Sequence, residues 1–222
     1  MSTIKTFHAV KLALSSARMA TFETASVSVG IESFEALELY AWNARVSAAL
    51  LAPLHICEVV IRNSVADALD SVYGPKWPWS AAFERSLPNP RIGYSPRQDL
   101  QASRRTSLTT GKAIPELKFV FWQKMFTERH DARLWDRHLS LVLPNVDTRK
   151  SVAQSRRKIY EDLEQIRSLR NRIAHHEPIF RRSLSDDMGK IVTLVELRCS
   201  ITALWMMQNQ EASRLLLERG YI

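Results

Sequence analysis

Arg170, Asn171 and His175 stand close together in the run Ile166-Arg167-Ser168-Leu169-Arg170-Asn171-Arg172-Ile173-Ala174-His175-His176-Glu177-Pro178. Their types suit chemistry on a phosphate. An arginine grips a phosphate through two parallel N–H bonds. A histidine titrates near neutral pH and so can take or give a proton. On a helix, Asn171 and His175 are four residues apart and share a face beside Arg170. Pro178 turns its predecessor away from the α region, so His175 and His176 should fall in the last helical turn. The negative end of the helix dipole favours a protonated imidazole there. Together these groups suit attack of an RNA 2′-hydroxyl on its neighbouring phosphate, with no metal and no cofactor.

A helix from about 148 to 176 has to carry these residues. Stepping about 100° per residue from Ile159 places Ile159, Leu163, Ile166, Leu169 and Ile173 in one arc of roughly 120°. Arg170 falls in the same arc. A guanidinium on an apolar stripe is costly unless it is paired, or unless the stripe opens onto an interface or a cleft.

The rest of the pattern is also helical. Apolar spacing predicts helices over 6–21, 31–45 (Ile31, Phe34, Leu37, Leu39, Trp42), 46–72, 97–109 and 115–127, with Pro115 in the first turn of the last. Gly74-Pro75 should stop the strongest of them, and the proline-rich stretch 74–96 reads as an irregular loop. Leu134 to Leu143 forms an apolar segment. A helix over 186–208, begun by Asp186-Asp187, carries Met188, Ile191, Val195, Leu197, Ile201, Leu204 and Trp205; a short segment covers 210–218. The class is all-α, a helical bundle. A length of 222 residues predicts one domain, 1–222.

Composition narrows the function. The 45% hydrophobic fraction suffices for a core. Cys57 and Cys199 are too few for a disulfide framework or a cysteine-rich zinc site, and both read as reduced packing residues. Trp77, Trp79, Trp122, Trp135 and Trp205 read as core. The uncharged stretches near 46–57 and 199–210 are about half of the ~20 residues that span a bilayer, and no signal-peptide core follows the N-terminus. A cytoplasmic protein without a membrane partner is expected. A net charge of +8 and a pI near 9.8 favour a polyanion, nucleic acid before membrane. No glycine-rich phosphate loop and no nucleophile elbow occur.

Arg170-Asn171-Arg172-Ile173-Ala174-His175 resembles the Arg-polar-x3-His motif of HEPN-domain ribonucleases, and its surroundings resemble the Abi-like branch of abortive-infection proteins (AbiD/AbiF type). Further blocks in order are similar: Leu14-Ser15-Ser16-Ala17-Arg18 with Thr21-Phe22, Ala36 to Asn43, Leu54 to Asn63, and Leu117 to Trp122. The resemblance spans about residues 14–180. It implies a HEPN-like bundle and a homodimer in which two motifs form one composite ribonuclease site, with Arg170, Asn171 and His175 as its catalytic residues. It also implies a toxin or abortive-infection effector in phage defence, restrained by an antitoxin or a phage-derived trigger. The family's spacing admits His176 as well; the face shared with Asn171 favours His175. A catalytically silent helical RNA-binding or regulatory module is the alternative.

Other candidates are supporting ones. Glu58 and Arg62, at i,i+4, read either as an ion pair or, with Asn63, as a brace for the motif. Residues 85–112 hold six cations, Arg104 and Arg105 among them, against Asp99 alone; 149–158 holds Arg149, Lys150, Arg156, Arg157 and Lys158 with no acid; Arg181 and Arg182 follow the motif. These read as solvated surface or as contacts to RNA phosphates. Tyr94 reads as a platform for a base.

Overall fold

In the computed structural model, which describes residues 3–27 and 34–219, the elements in chain order are α1 (Thr3–Leu14), α2 (Ser16–Val27), α3 (Phe34–Tyr73), α4 (Ala81–Ser86), α5 (Pro96–Thr106), α6 (Thr110–Glu116), α7 (Phe119–Lys124), α8 (Asp136–Val142), α9 (Val152–Ala174), α10 (Leu184–Arg198), α11 (Ser200–Gln208) and α12 (Ala212–Leu217). No strand occurs among the described residues, so the all-α class holds. Ile31, where the expected second helix began, lies outside the described residues.

Several expected helices have different limits, each for a local reason. The 6–21 segment breaks at Ser15, which has φ +83°; the Ser15 hydroxyl accepts the Arg18 N–H and starts α2. The expected helices 31–45 and 46–72 merge into the 40-residue α3, which tolerates Pro53 inside it and ends at Gly74 (φ +79°). The 74–96 stretch is not wholly irregular: it holds a 3₁₀ turn over Trp77–Trp79, then α4, capped by the Ser80 hydroxyl. Pro115 sits near the end of α6, because Thr109 caps that helix earlier than expected. Ser151 and Gln154 exchange side-chain-to-backbone bonds in a capping box that starts α9. Helix α10 begins at Leu184, so Asp186 and Asp187 lie inside its first turn. The 186–208 helix breaks at Cys199, whose backbone is extended (φ −161°, ψ 111°).

The described chain forms two compact units, neither a continuous stretch; the sequence alone suggests one domain. The first comprises 1–52, 169–186 and 210–222, and the second 53–168 and 187–209. Helices α3, α9 and α10 run through both. In the first unit Trp42 is buried and donates its indole N–H to Leu215 O at 2.9 Å, tying α3 to α12. Phe22 packs against Tyr40 and Phe180, with ring centroids 4.9 and 5.2 Å apart.

The second unit has an aromatic centre. Trp77 meets Phe83 and Trp122 edge-on, and Phe126 stacks on Trp135 at 4.5 Å. Buried Gln123 on α7 accepts a bond from Arg167 at 2.8 Å and donates to Glu164, fixing α9. Trp79 and Trp205, expected in the core, are exposed; Trp79 ends the 3₁₀ turn with its side chain outward, and in α11 the face turned inward carries Ala203 and Met206 while Ile201, Leu204 and Trp205 face out. Cys57 is fully buried, and burial pushes its thiol up to about 12; Cys199 is only half-buried. By length and hydropathy α3 is long and apolar enough to cross a membrane; its uncharged stretch, 46–57, is bounded by Arg45 and Glu58, and its face of Trp42, Val46, Leu50, Leu54, Cys57 and Ile61 is buried.

Candidate functional site

The motif occupies the C-terminal end of α9. Leu169 and Ile173 are buried, whereas Arg170 is exposed and has no hydrogen-bond or ion-pair partner among the described residues. The reason is a drift in the apolar stripe. Along α9 the buried positions shift toward the Leu169 side of the arc, and Arg170 falls off its opposite edge. Of the two outcomes expected for a guanidinium on this stripe, internal pairing is not the one realised; the stripe opens at Arg170. Asn171 is half-buried, and its carbonyl accepts the His175 N–H at 2.9 Å.

The helix ends in a left-handed turn. His176 has φ +56°; its N–H donates to Ile173 O at 3.0 Å, and the Glu177 N–H donates to Arg172 O at 2.8 Å. These two bonds make a Schellman motif, with His175 as the C-cap and His176 in the position glycine usually takes. A side chain in that conformation costs roughly 1–2 kcal/mol, so the turn must be held from outside. Three groups hold it. Arg18 of α2 donates from Nη2 to His176 O at 2.5 Å. Buried Asn43 of α3 accepts the N–H groups of Ile179 and Phe180 at 2.8 and 3.2 Å. Arg172 pairs with Glu177 at 3.4 Å. Both imidazoles are thereby kept exposed at a fixed helix end, one residue apart and on different backbone geometry.

Arg18 and Asn43 have no role in the sequence reading beyond membership of similar blocks. They stand 158 and 136 residues from their partners, so no local spacing could reveal what they do. Strained backbone at a helix end is a recurrent feature of functional sites.

The supporting candidates divide. Glu58 and Arg62 bond to each other at 2.5 Å, both largely buried, while Asn63 is exposed. Arg156 makes a two-point bond to Asp131 at 2.9 Å, Arg157 pairs with Glu161, Lys158 with Asp162, and Arg149 and Lys150 with Asp147. Each cation of the acid-free run 149–158 therefore has a carboxylate partner: Asp147 just before it, Glu161 and Asp162 one helical turn on, or Asp131 from another segment. Arg104 pairs with Glu84. Arg105 is unpaired among the described residues and lines a cleft of about 460 Å³ with Tyr94 and Lys118. The Tyr94 hydroxyl donates to Asp99 at 2.7 Å; that bond and burial push its pKa up. Arg181 lies over the Phe180 ring, and Arg182 is half-buried.

Among the described residues, no three of His, Cys, Asp and Glu converge. What the structure defines is an all-α protein with an exposed Arg-Asn-His helix end braced by distant residues. Compared with known proteins, the chain matches no family model, no curated protein and no solved structure.

Proposed function

We propose that the protein is a metal-independent endoribonuclease of the HEPN type, acting in the cytoplasm as a toxin or abortive-infection effector against phage. The observation that carries this reading is the α9 end: an unpaired exposed arginine, an adjacent amide and the exposed His175 at a helix end braced by distant residues. His175 takes the proton of the RNA 2′-hydroxyl or returns one to the leaving oxygen. Arg170 neutralises charge growing on the phosphate, and Asn171 orients it. The product ends in a 2′,3′-cyclic phosphate. A second copy of the chain completes the site with its own motif. That role makes sense of an arginine emerging from an apolar stripe, and an antitoxin or a phage-derived trigger restrains the activity.

The test is RNA cleavage in EDTA by wild type, His175→Ala and Arg170→Ala, each checked for fold and oligomeric state. Wild type should cut, and both variants should lose at least ~100-fold in rate. Cleavage that survives in His175→Ala transfers the role to His176. RNA binding without cleavage by any preparation supports the silent binding module.

A further inference from the structure

Arg129, Arg133 and Arg137 recur at four-residue spacing in a segment that the motif reading does not use. All three are exposed, and among the described residues none has a hydrogen-bond or ion-pair partner. Of the two carboxylates within the segment, Asp131 is held by Arg156, and exposed Asp136 makes no ion pair with any of the three among the described residues. The backbone there is unusual. Asp131–Trp135 is a π turn, closed by the Asp136 N–H bonding back to Asp131 O, and it runs directly into α8. Such wide turns are rare and concentrate at functional sites.

This turn builds one side of an open cleft of about 560 Å³, lined by Ser71, Val72, Ala132, Arg133, Arg137 and His138. All six belong to the second unit. Apolar ligands favour enclosed, mostly apolar pockets; this cleft is open, and two cations, an imidazole and a hydroxyl dominate its lining. The positive field is felt inside the protein too: Arg129 and Arg133 add to burial in pushing the neighbouring His130 down to about 4.

The polar groups have assigned directions. His138 Nδ1 lies 2.8 Å from Leu134 O. A carbonyl only accepts, so Nδ1 carries the proton and Nε2 of the neutral ring is an acceptor. The Ser71 hydroxyl donates to Asp67 O at 2.9 Å, which leaves its oxygen as an acceptor. The cleft thus sets two guanidinium groups, made for a phosphate, beside two acceptors, made for hydroxyl donors. A ribose-phosphate carries both. We propose that this cleft binds a ribose-phosphate unit of an RNA strand, apart from the α9 motif and whether or not that motif cleaves RNA.

The test measures binding in EDTA by fluorescence anisotropy of a short labelled oligoribonucleotide, with every protein in a His175→Ala background so that cleavage does not enter. Arg133→Ala/Arg137→Ala should weaken binding roughly ten-fold and lower the salt slope by about 1.4, the value for two lost single-strand phosphate contacts. Lys5→Ala/Arg219→Ala, which removes two exposed cations of the first unit without an ion-pair partner among the described residues, should change binding less than about two-fold. His138→Ala should narrow the preference for the oligoribonucleotide over the matching oligodeoxyribonucleotide. Both arginines are exposed and unpaired, so unchanged melting temperatures certify the fold. A parallel titration with AMP, read at the His138 ring by NMR, distinguishes a free ribonucleotide from a strand. If AMP shifts that ring and the oligoribonucleotide does not compete, the ligand is the free nucleotide. Equal weakening by the two double variants, with no AMP response at His138, overturns the site. An unchanged RNA preference in His138→Ala overturns the ribose contact.

Discussion

His175 and His176 are neighbours in sequence with different duties. His176 holds a left-handed conformation that glycine adopts freely. Replacing it by glycine should stabilise the protein by about 1 kcal/mol, raising the melting temperature by roughly 2–4 °C, and should leave RNA cleavage intact. Loss of cleavage in a folded His176→Gly protein would make His176 the acting residue. Asn43 is the opposite case. Asn43→Ala strands two buried amide N–H groups, which should cost about 1–3 kcal/mol in urea unfolding. The motif triplet is legible in the sequence because a helix end and its proline are written locally. The residues that hold the end are not, since their meaning depends on chain segments brought together only by folding.

At the scale of elements, helix existence follows from apolar spacing and helix limits follow from caps. The Ser151–Gln154 capping box was written in the sequence, and it starts α9 four residues after the position that spacing alone suggests. Breaks at Ser15 and Cys199 are harder to foresee, because neither residue marks a stop by type. The Cys199 break has a measurable consequence. Spacing that treats 186–208 as one helix buries Trp205, yet Trp205 is 52% exposed and Met206 is 0% exposed. Trp205→Ala should therefore cost less than about 0.5 kcal/mol, whereas Met206→Ala should cost about 2–5 kcal/mol. A thermal melt of Trp205→Ala decides between a continuous and a broken helix, with Met206→Ala as the buried reference.

The whole molecule is basic, but its basic runs are not equivalent. The 149–158 run is matched by carboxylates, which composition cannot disclose because Asp131 and Asp162 lie outside it. Acid stability is also a property of the whole chain. His130 is buried, and its pKa falls from 6.5 to about 4 in the folded protein. Between those values the unfolded chain binds the extra proton, so this histidine's contribution to stability is complete above pH 6.5 and declines as pH falls toward 4. Replacing His130 by Gln should flatten the loss of stability across that interval in pH-dependent urea unfolding. An unchanged slope would assign the loss to the carboxylates.

The turn at His176 is closed by an arginine that leaves the ribosome 158 residues before the carbonyl it binds. Residues 53–168, most of the second unit, emerge as one stretch and can begin to pack during synthesis. In the first unit, Arg18 and Asn43 must wait for residues 176–180 before they find their partners. A nascent or prematurely terminated chain can thus hold Arg170, Asn171 and His175 in order and still lack the braced turn. On the proposed function, this order of synthesis keeps the motif unbraced until residues 176–180 have left the ribosome.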